Sequence, residues 1–142
     1  ERYEQLLMSL LGFFGSKDLK ESLAKTKTVK INGVLFKIKK INVLDFLDGS
    51  RVLQKAYLTY EEAKADAKKD IDMNLQKKVN EHYKDVFMAG VVHPKLSRKD
   101  EADAVCVDDL FVDPEMVQQL YQEIYAYTYG KKKLDWTGMN QR

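Results

Sequence analysis

The dipeptide Asn32-Gly33 sits between two short runs of alternating character, Thr28-Val29-Lys30-Ile31 and Val34-Leu35-Phe36-Lys37-Ile38-Lys39. No other feature of the chain restricts its fold as much. A two-residue type I′ turn needs positive φ at both central positions, and Asn followed by Gly adopts it at least cost. Such a turn also sets the register, with Ile31 opposite Val34 and Val29 opposite Phe36. Side chains alternate along a strand, so Val29, Ile31, Val34, Phe36 and Ile38 share one face. Thr28, Lys30, Lys37 and Lys39 take the other, with Leu35 as the exception. A hairpin with one apolar face is not stable alone in water. The hairpin at 28–39 is therefore expected to pack on helices or on a neighbouring subunit.

The rest of the chain reads as helical. Glu1–Phe14 places Leu6, Leu7, Leu10, Leu11, Phe13 and Phe14 at helical spacing, and Gly15-Ser16 is expected to end that helix. Ser16 then caps a second short helix carrying Leu19 and Leu23. Asn42, with Asp45 three positions on, opens a short helix through Leu47 that Asp48-Gly49-Ser50 interrupts. Between Arg51 and Ala89 there is neither Gly nor Pro, and apolar residues recur at Leu53, Ala56, Tyr57 and Tyr60, then at Leu75, Val79, Tyr83, Val86 and Phe87. This stretch is one long helix or two broken near Asp70–Asp72. Gly90 suits a left-handed cap, and Pro94 drives His93 towards extended geometry. Ser97–Asp103 reads as an exposed loop, Val105-Cys106-Val107 as extended, and Asp108–Phe111 as a capped turn. A firmer helix opens with Asp113 as cap and Pro114 at its first position, presents Val117, Leu120, Tyr121 and Ile124 on one face, and stops at Gly130.

With 142 residues, 44% of them apolar, the chain can bury one modest core. The expected class is mainly α with one β-hairpin (α+β). Three parts are expected: an amphipathic helical segment over 1–27, a single helical domain with the hairpin over 28–130, and a flexible tail over 131–142.

Charge and chemistry narrow the function. Lys+Arg 24 against Asp+Glu 22 leaves a net charge of +2, and arginine occurs only at Arg2, Arg51, Arg98 and Arg142. Bulk attraction to nucleic acid or an anionic membrane is not indicated, and Lys is poorer than Arg at bidentate phosphate recognition. No aromatic residue is interleaved with the hairpin lysines to stack on bases, so nucleic acid is not the expected partner. The longest apolar run, Leu6–Phe14, is nine residues broken by Ser9 and Gly12. That is far short of the roughly 20 needed to cross a bilayer, so no membrane span is expected. Cys106 is the lone cysteine, so no intrachain disulfide can form, which fits a reducing cytoplasm.

His82 and His93 are the only imidazoles, and with Cys106 they lack the spacing of a zinc site. A Cys106/His93 dyad has no orienting third group, and Asp108-Asp109 with Asp113 reads as helix caps rather than a divalent-cation site. No phosphate loop, nucleophile elbow or metalloprotease motif is present. The expected protein has no catalytic residue, cofactor or metal.

The charges are segregated along the chain. Lys25, Lys27, Lys30, Lys37, Lys39 and Lys40 have no acid among them, whereas Asp100–Gly130 carries eight acidic residues and no base. Either both are solvated faces, or hairpin and C-terminal region dock on one another within or between subunits. The Tyr-rich final helix adds a further clue. Tyr127 and Tyr129 cannot both share a helix side with Tyr121, so some rings should reach the surface and meet a protein partner.

Taken together, the hairpin Val29–Phe36, the helical middle, Ala89-Gly90-Val91-Val92-His93-Pro94-Lys95-Leu96, Val107-Asp108-Asp109-Leu110-Phe111 and Tyr129-Gly130-Lys131-Lys132-Lys133 resemble the tail assembly chaperones of long-tailed bacteriophages, particularly of Gram-positive hosts. The resemblance covers roughly Thr28–Lys133. It implies a small non-enzymatic protein of the infected host's cytoplasm, absent from the mature virion. Such a protein binds the tape measure protein and keeps it soluble while tube protein polymerises around it. Such chaperones are often made in two lengths by ribosomal slippage near the C-terminus, so Lys131-Lys132-Lys133 reads either as the product of slippery codons or as a positive flank at the C-terminal end of the last helix. Leu6, Leu10, Phe14, Tyr121 and Tyr125 are the expected contacts for self-association, as a homo-oligomer, or for client binding. The alternative is a structural neck or tail-completion protein of the virion.

Overall fold

The computed structural model describes residues 2–65 and 72–130, the side chains of 8–14, 63 and 65 excepted. The expected tail at 131–142, including the lysine run, lies outside the described residues.

The turn governs its surroundings as the sequence requires. Asn32 and Gly33 have φ of 50° and 83°. Strands β1 (Thr26–Ile31) and β2 (Val34–Lys39) pair antiparallel with Ile31 opposite Val34 and Val29 opposite Phe36. Val29, Ile31, Phe36 and Ile38 are buried, and Leu35 is exposed among the lysines. Val34, expected on the core face, is exposed at the hairpin tip. A third strand, β3 (Val91–His93), adds antiparallel to β2, giving the order β1-β2-β3. His93 is therefore extended, as the following proline requires.

The sheet's apolar face packs on helix α4 (Pro114–Tyr129). Both ends of α4 are closed. Asp113 accepts a hydrogen bond from the Met116 amide at 3.1 Å, Pro114 holds the first position, and Gly130 ends the helix at φ 71°. The Ile41 amide donates to Thr128 Oγ1 at 3.1 Å, fastening the chain leaving β2 to the last turn of α4. Asn32 Nδ2 donates to Asp113 Oδ2 at 2.9 Å, and Lys27 Nζ lies 3.8 Å from Glu123. The basic hairpin and the acidic C-terminal helix thus dock on one another within the chain.

After the hairpin, Asn42 caps a 3-10 turn at Val43–Phe46, as its spacing suggested. That turn runs directly into α2 (Leu47–Ala65). Asp48-Gly49-Ser50 does not interrupt the helix, and the reason lies far away in sequence. A Cβ at Gly49 would stand 2.1 Å from Nδ1 of His82, so glycine is there to admit a ring and not to break a helix. Helix α3 (Met73–Gly90) begins at Asp72, whose carboxylate accepts from the Asn74 and Leu75 amides. The stretch from Arg51 to Ala89 is thus two helices.

Gly90 is the last residue of α3 and not a left-handed cap; the chain passes straight into β3. A Cβ there would meet Ile124 Cγ2 at 2.9 Å, so this glycine serves the close approach of α3 to α4. Two short strands, β4 (Leu96–Ser97) and β5 (Val105–Cys106), form a parallel pair, and Ser97 is buried instead of lying in an exposed loop. Val107 belongs to a 3-10 turn running to Val112.

Phe36, Ile38, Val86, Phe87, Leu120 and Ile124 are almost wholly buried where sheet, α3 and α4 meet. Each such side chain removed from water stabilises the fold by about 1.5–3 kcal/mol. Tyr83, Phe87 and Phe111 stand in mutual aromatic contact, and Tyr121 meets Tyr83 edge-on at 4.9 Å between centroids. The class is as expected, mainly α with a small β component.

The N-terminal segment departs from expectation. Helix α1 (Arg2–Ala24) is continuous through Gly15-Ser16. Interior glycine costs a helix only about 1 kcal/mol, too little to force a break here.

Candidate functional site

Two features of the fold are unaccounted for by the core. One is a groove. Ser50, Leu53 and Tyr57 from α2, Gln76 and Val79 from α3, and Gln118 from α4 bound a cavity of about 660 Å³. Tyr83 and Tyr121 also line it, and Leu58 and Tyr60 stand on the α2 side. Among the described residues, none of its lining side chains is charged. Its polar groups are held by one another: Gln118 Nε2 donates to the Tyr83 hydroxyl at 3.0 Å, and Tyr60 donates to Gln76, whose amide in turn donates to Asn80 at 3.0 Å.

The groove also stays neutral. Burial pushes the Tyr83 and Tyr121 hydroxyls above the ordinary tyrosine range, Tyr83 being partly offset by Gln118. Behind Tyr121, its hydroxyl is 2.7 Å from His82 Nε2. Burial lowers the pKa of that imidazole, against a smaller raising effect of Asp85. The surface presented is aromatic, aliphatic and amide, a composition suited to the side chains of an apolar helix.

The second feature is α1 itself. Every described side chain on it is exposed, among them Tyr3, Leu7, Leu19 and Leu23, and Leu6 at 65%. Twelve consecutive residues, Gln5–Ser16, carry no charge. At about 100° per residue, Leu6 and Leu7 point roughly opposite to Leu19 and Leu23. The two halves of α1 thus offer apolar surface on different sides, so one flat contact cannot cover both. Exposed leucine clusters of this kind mark interaction surfaces.

The expected contact residues fall in different places. Leu6 is exposed on α1. Leu10 and Phe14 lie within α1, with side chains outside the described residues. Tyr121 and Tyr125 are buried, Tyr121 at 1% exposure, because the α4 stripe that carries them is the one facing α3. Tyr121 forms part of the groove wall, while Tyr129 is the ring that reaches the surface. Sequence reasoning missed Leu58 and Gln118. The available signal was Leu58, an apolar residue off the helical stripe formed by Leu53, Ala56, Tyr57 and Tyr60.

Cys106, Asp108 and Asp113, weighed for chemistry, have structural partners. Cys106, half-buried, directs its thiol at the Arg98 carbonyl at 3.9 Å. Asp113 caps α4, and the hydrogen bond from Asn32 is the main influence holding its carboxyl below the usual range. Asp108 is not a side-chain cap; it lies 2.6 Å from Lys84. Among the described residues no group of His, Cys, Asp and Glu could hold a metal ion, and no helix is long and apolar enough to cross a membrane.

Comparison with protein-family models, with curated proteins and with solved structures finds no match to this chain.

Proposed function

We propose that this protein is a non-enzymatic assembly chaperone of the long-tailed phage type, which holds apolar helices of a tape measure protein in solution during tail tube assembly. The observation that carries the reading is α1, a helix of 23 residues whose described leucines are all exposed. An apolar helix held in water gains from meeting other apolar helices, at roughly 25 cal/mol per Å² covered. The uncharged groove supports the same reading, because it offers aromatic and amide surface without demanding a charged ligand. The sequence likeness of the hairpin and the segments after it to such chaperones supplies the client class.

Co-expression tests the proposal. A long-tailed phage tape measure protein is produced with and without this chain, and the soluble fraction is measured. A several-fold rise in soluble client is expected, together with absence of the chain from purified particles by mass spectrometry. Equal insolubility in both cases contradicts the chaperone role, and stoichiometric presence in particles points instead to a structural neck or completion subunit.

A further inference from the structure

We infer that the N-terminal half of α1 from one copy of this chain occupies the α2/α3/α4 groove of a second copy. This does not rest on the client reading; it concerns what fills the groove when no other protein is present.

Groove and helix have matched requirements. The groove is uncharged, and a charged helix entering it would lose hydration without a compensating partner. Within α1 the stretch Gln5–Ser16 is the uncharged part, and Leu6 and Leu7 project from its start, on the side away from Leu19 and Leu23. The half that fits the groove chemically is therefore also the half that can enter without drawing the C-terminal leucines in.

The chain's own groove is not where α1 lies. A single residue, Lys25, joins Ala24 to Thr26 at the start of the hairpin, and its amide already bonds to the Ser22 carbonyl at 3.3 Å. With its C-terminal end held at that junction and its described side chains exposed, a helix about 34 Å long reaches readily into a neighbour. Leu58 and Tyr57, both exposed on the groove side of α2, are then the surface that Leu6 and Leu7 cover. When each copy lends its helix to the other, the contact is reciprocal and closes as a dimer. A client's apolar helix and the partner's α1 would compete for one groove.

Two single-cysteine forms of the full chain test this, each made with Cys106→Ser: one carries Leu7→Cys, the other Leu58→Cys. Mixed under mild oxidation, they are expected to give mainly the Leu7/Leu58 heterodisulfide, which can only be intermolecular. Gel filtration with light scattering should show a dimer of the unmodified chain that Leu6→Asp or Leu58→Asp converts to monomer. Both substitutions lie at exposed positions, and circular dichroism checks that each variant remains folded. The proposal is overturned by a monomer at all concentrations, by a dimer that both variants leave intact, or by cross-linking confined to Leu7 with Leu7. Loss of the dimer with client solubilisation retained would separate this inference from the proposed function.

Discussion

Helices α1 and α4 both carry leucines and aromatic rings at helical spacing, yet one is exposed along every described position and the other is buried along a full face. The difference lies in phase and in ends. On α4 the apolar residues Val117, Leu120, Tyr121 and Ile124 keep to one stripe, and that stripe meets the sheet and α3. Asp113 and Gly130 close both ends, and Thr128 and Glu123 tie it sideways to the hairpin. On α1 the stripe changes side between Leu7 and Leu19, so no one surface of its own body can cover it. Amphipathic content does not decide docking; constancy of phase does.

The comparison is most easily broken at the core. Phe36→Ala, removing a ring packed between the sheet and the helices, should cost about 3–5 kcal/mol in chemical denaturation. A loss under about 1 kcal/mol would mean that α4 is not held by the sheet as described.

Glycine gives the next largest contrast. Gly49→Ala in α2 places a methyl against His82 and should destabilise by about 1–3 kcal/mol, outweighing the gain in helix propensity. Gly15→Ala in α1 meets nothing within 4 Å and should raise helicity, worth up to about 1 kcal/mol locally. The same substitution is thus expected to have opposite signs in the two regions, measured by denaturation for the first and by circular dichroism for the second.

Acid should act on the docked region. The His82 imidazole has its pKa lowered in the fold, so between the unfolded value of 6.5 and the lower folded one the unfolded chain binds more protons. Stability should therefore fall as pH drops below about 6.5, and His82→Gln should flatten that slope. Asp113, also lowered, adds a second loss as pH falls below about 3.8, which Asp113→Asn removes. Smallest of all, Leu6→Ala should change the unfolding free energy of the monomer by less than about 0.5 kcal/mol.

What was legible in the sequence was whatever is settled by neighbours along the chain. Asn32-Gly33 announced the turn and its register, and Asp113-Pro114 with Gly130 announced both ends of α4. Gly49 was misread as a stop and Gly90 as a left-handed cap, because their reasons, His82 and Ile124, are 33 and 34 residues away. The burial of Tyr121 and Tyr125 was hidden for the same reason: periodicity assigns a ring to a face, and only the partner helix decides whether that face sees water. The groove, assembled from three helices, has no local signature beyond the off-stripe Leu58.

Amide hydrogen exchange across a concentration series tests most directly whether α1 is a docking element for another chain. The amides of α4 should be slow at every concentration, while those of Gln5–Ser16 should exchange fast in dilute solution and gain at least tenfold protection as the chain is concentrated. Equal and strong protection of α1 at the lowest concentration, or none at the highest, would contradict that role.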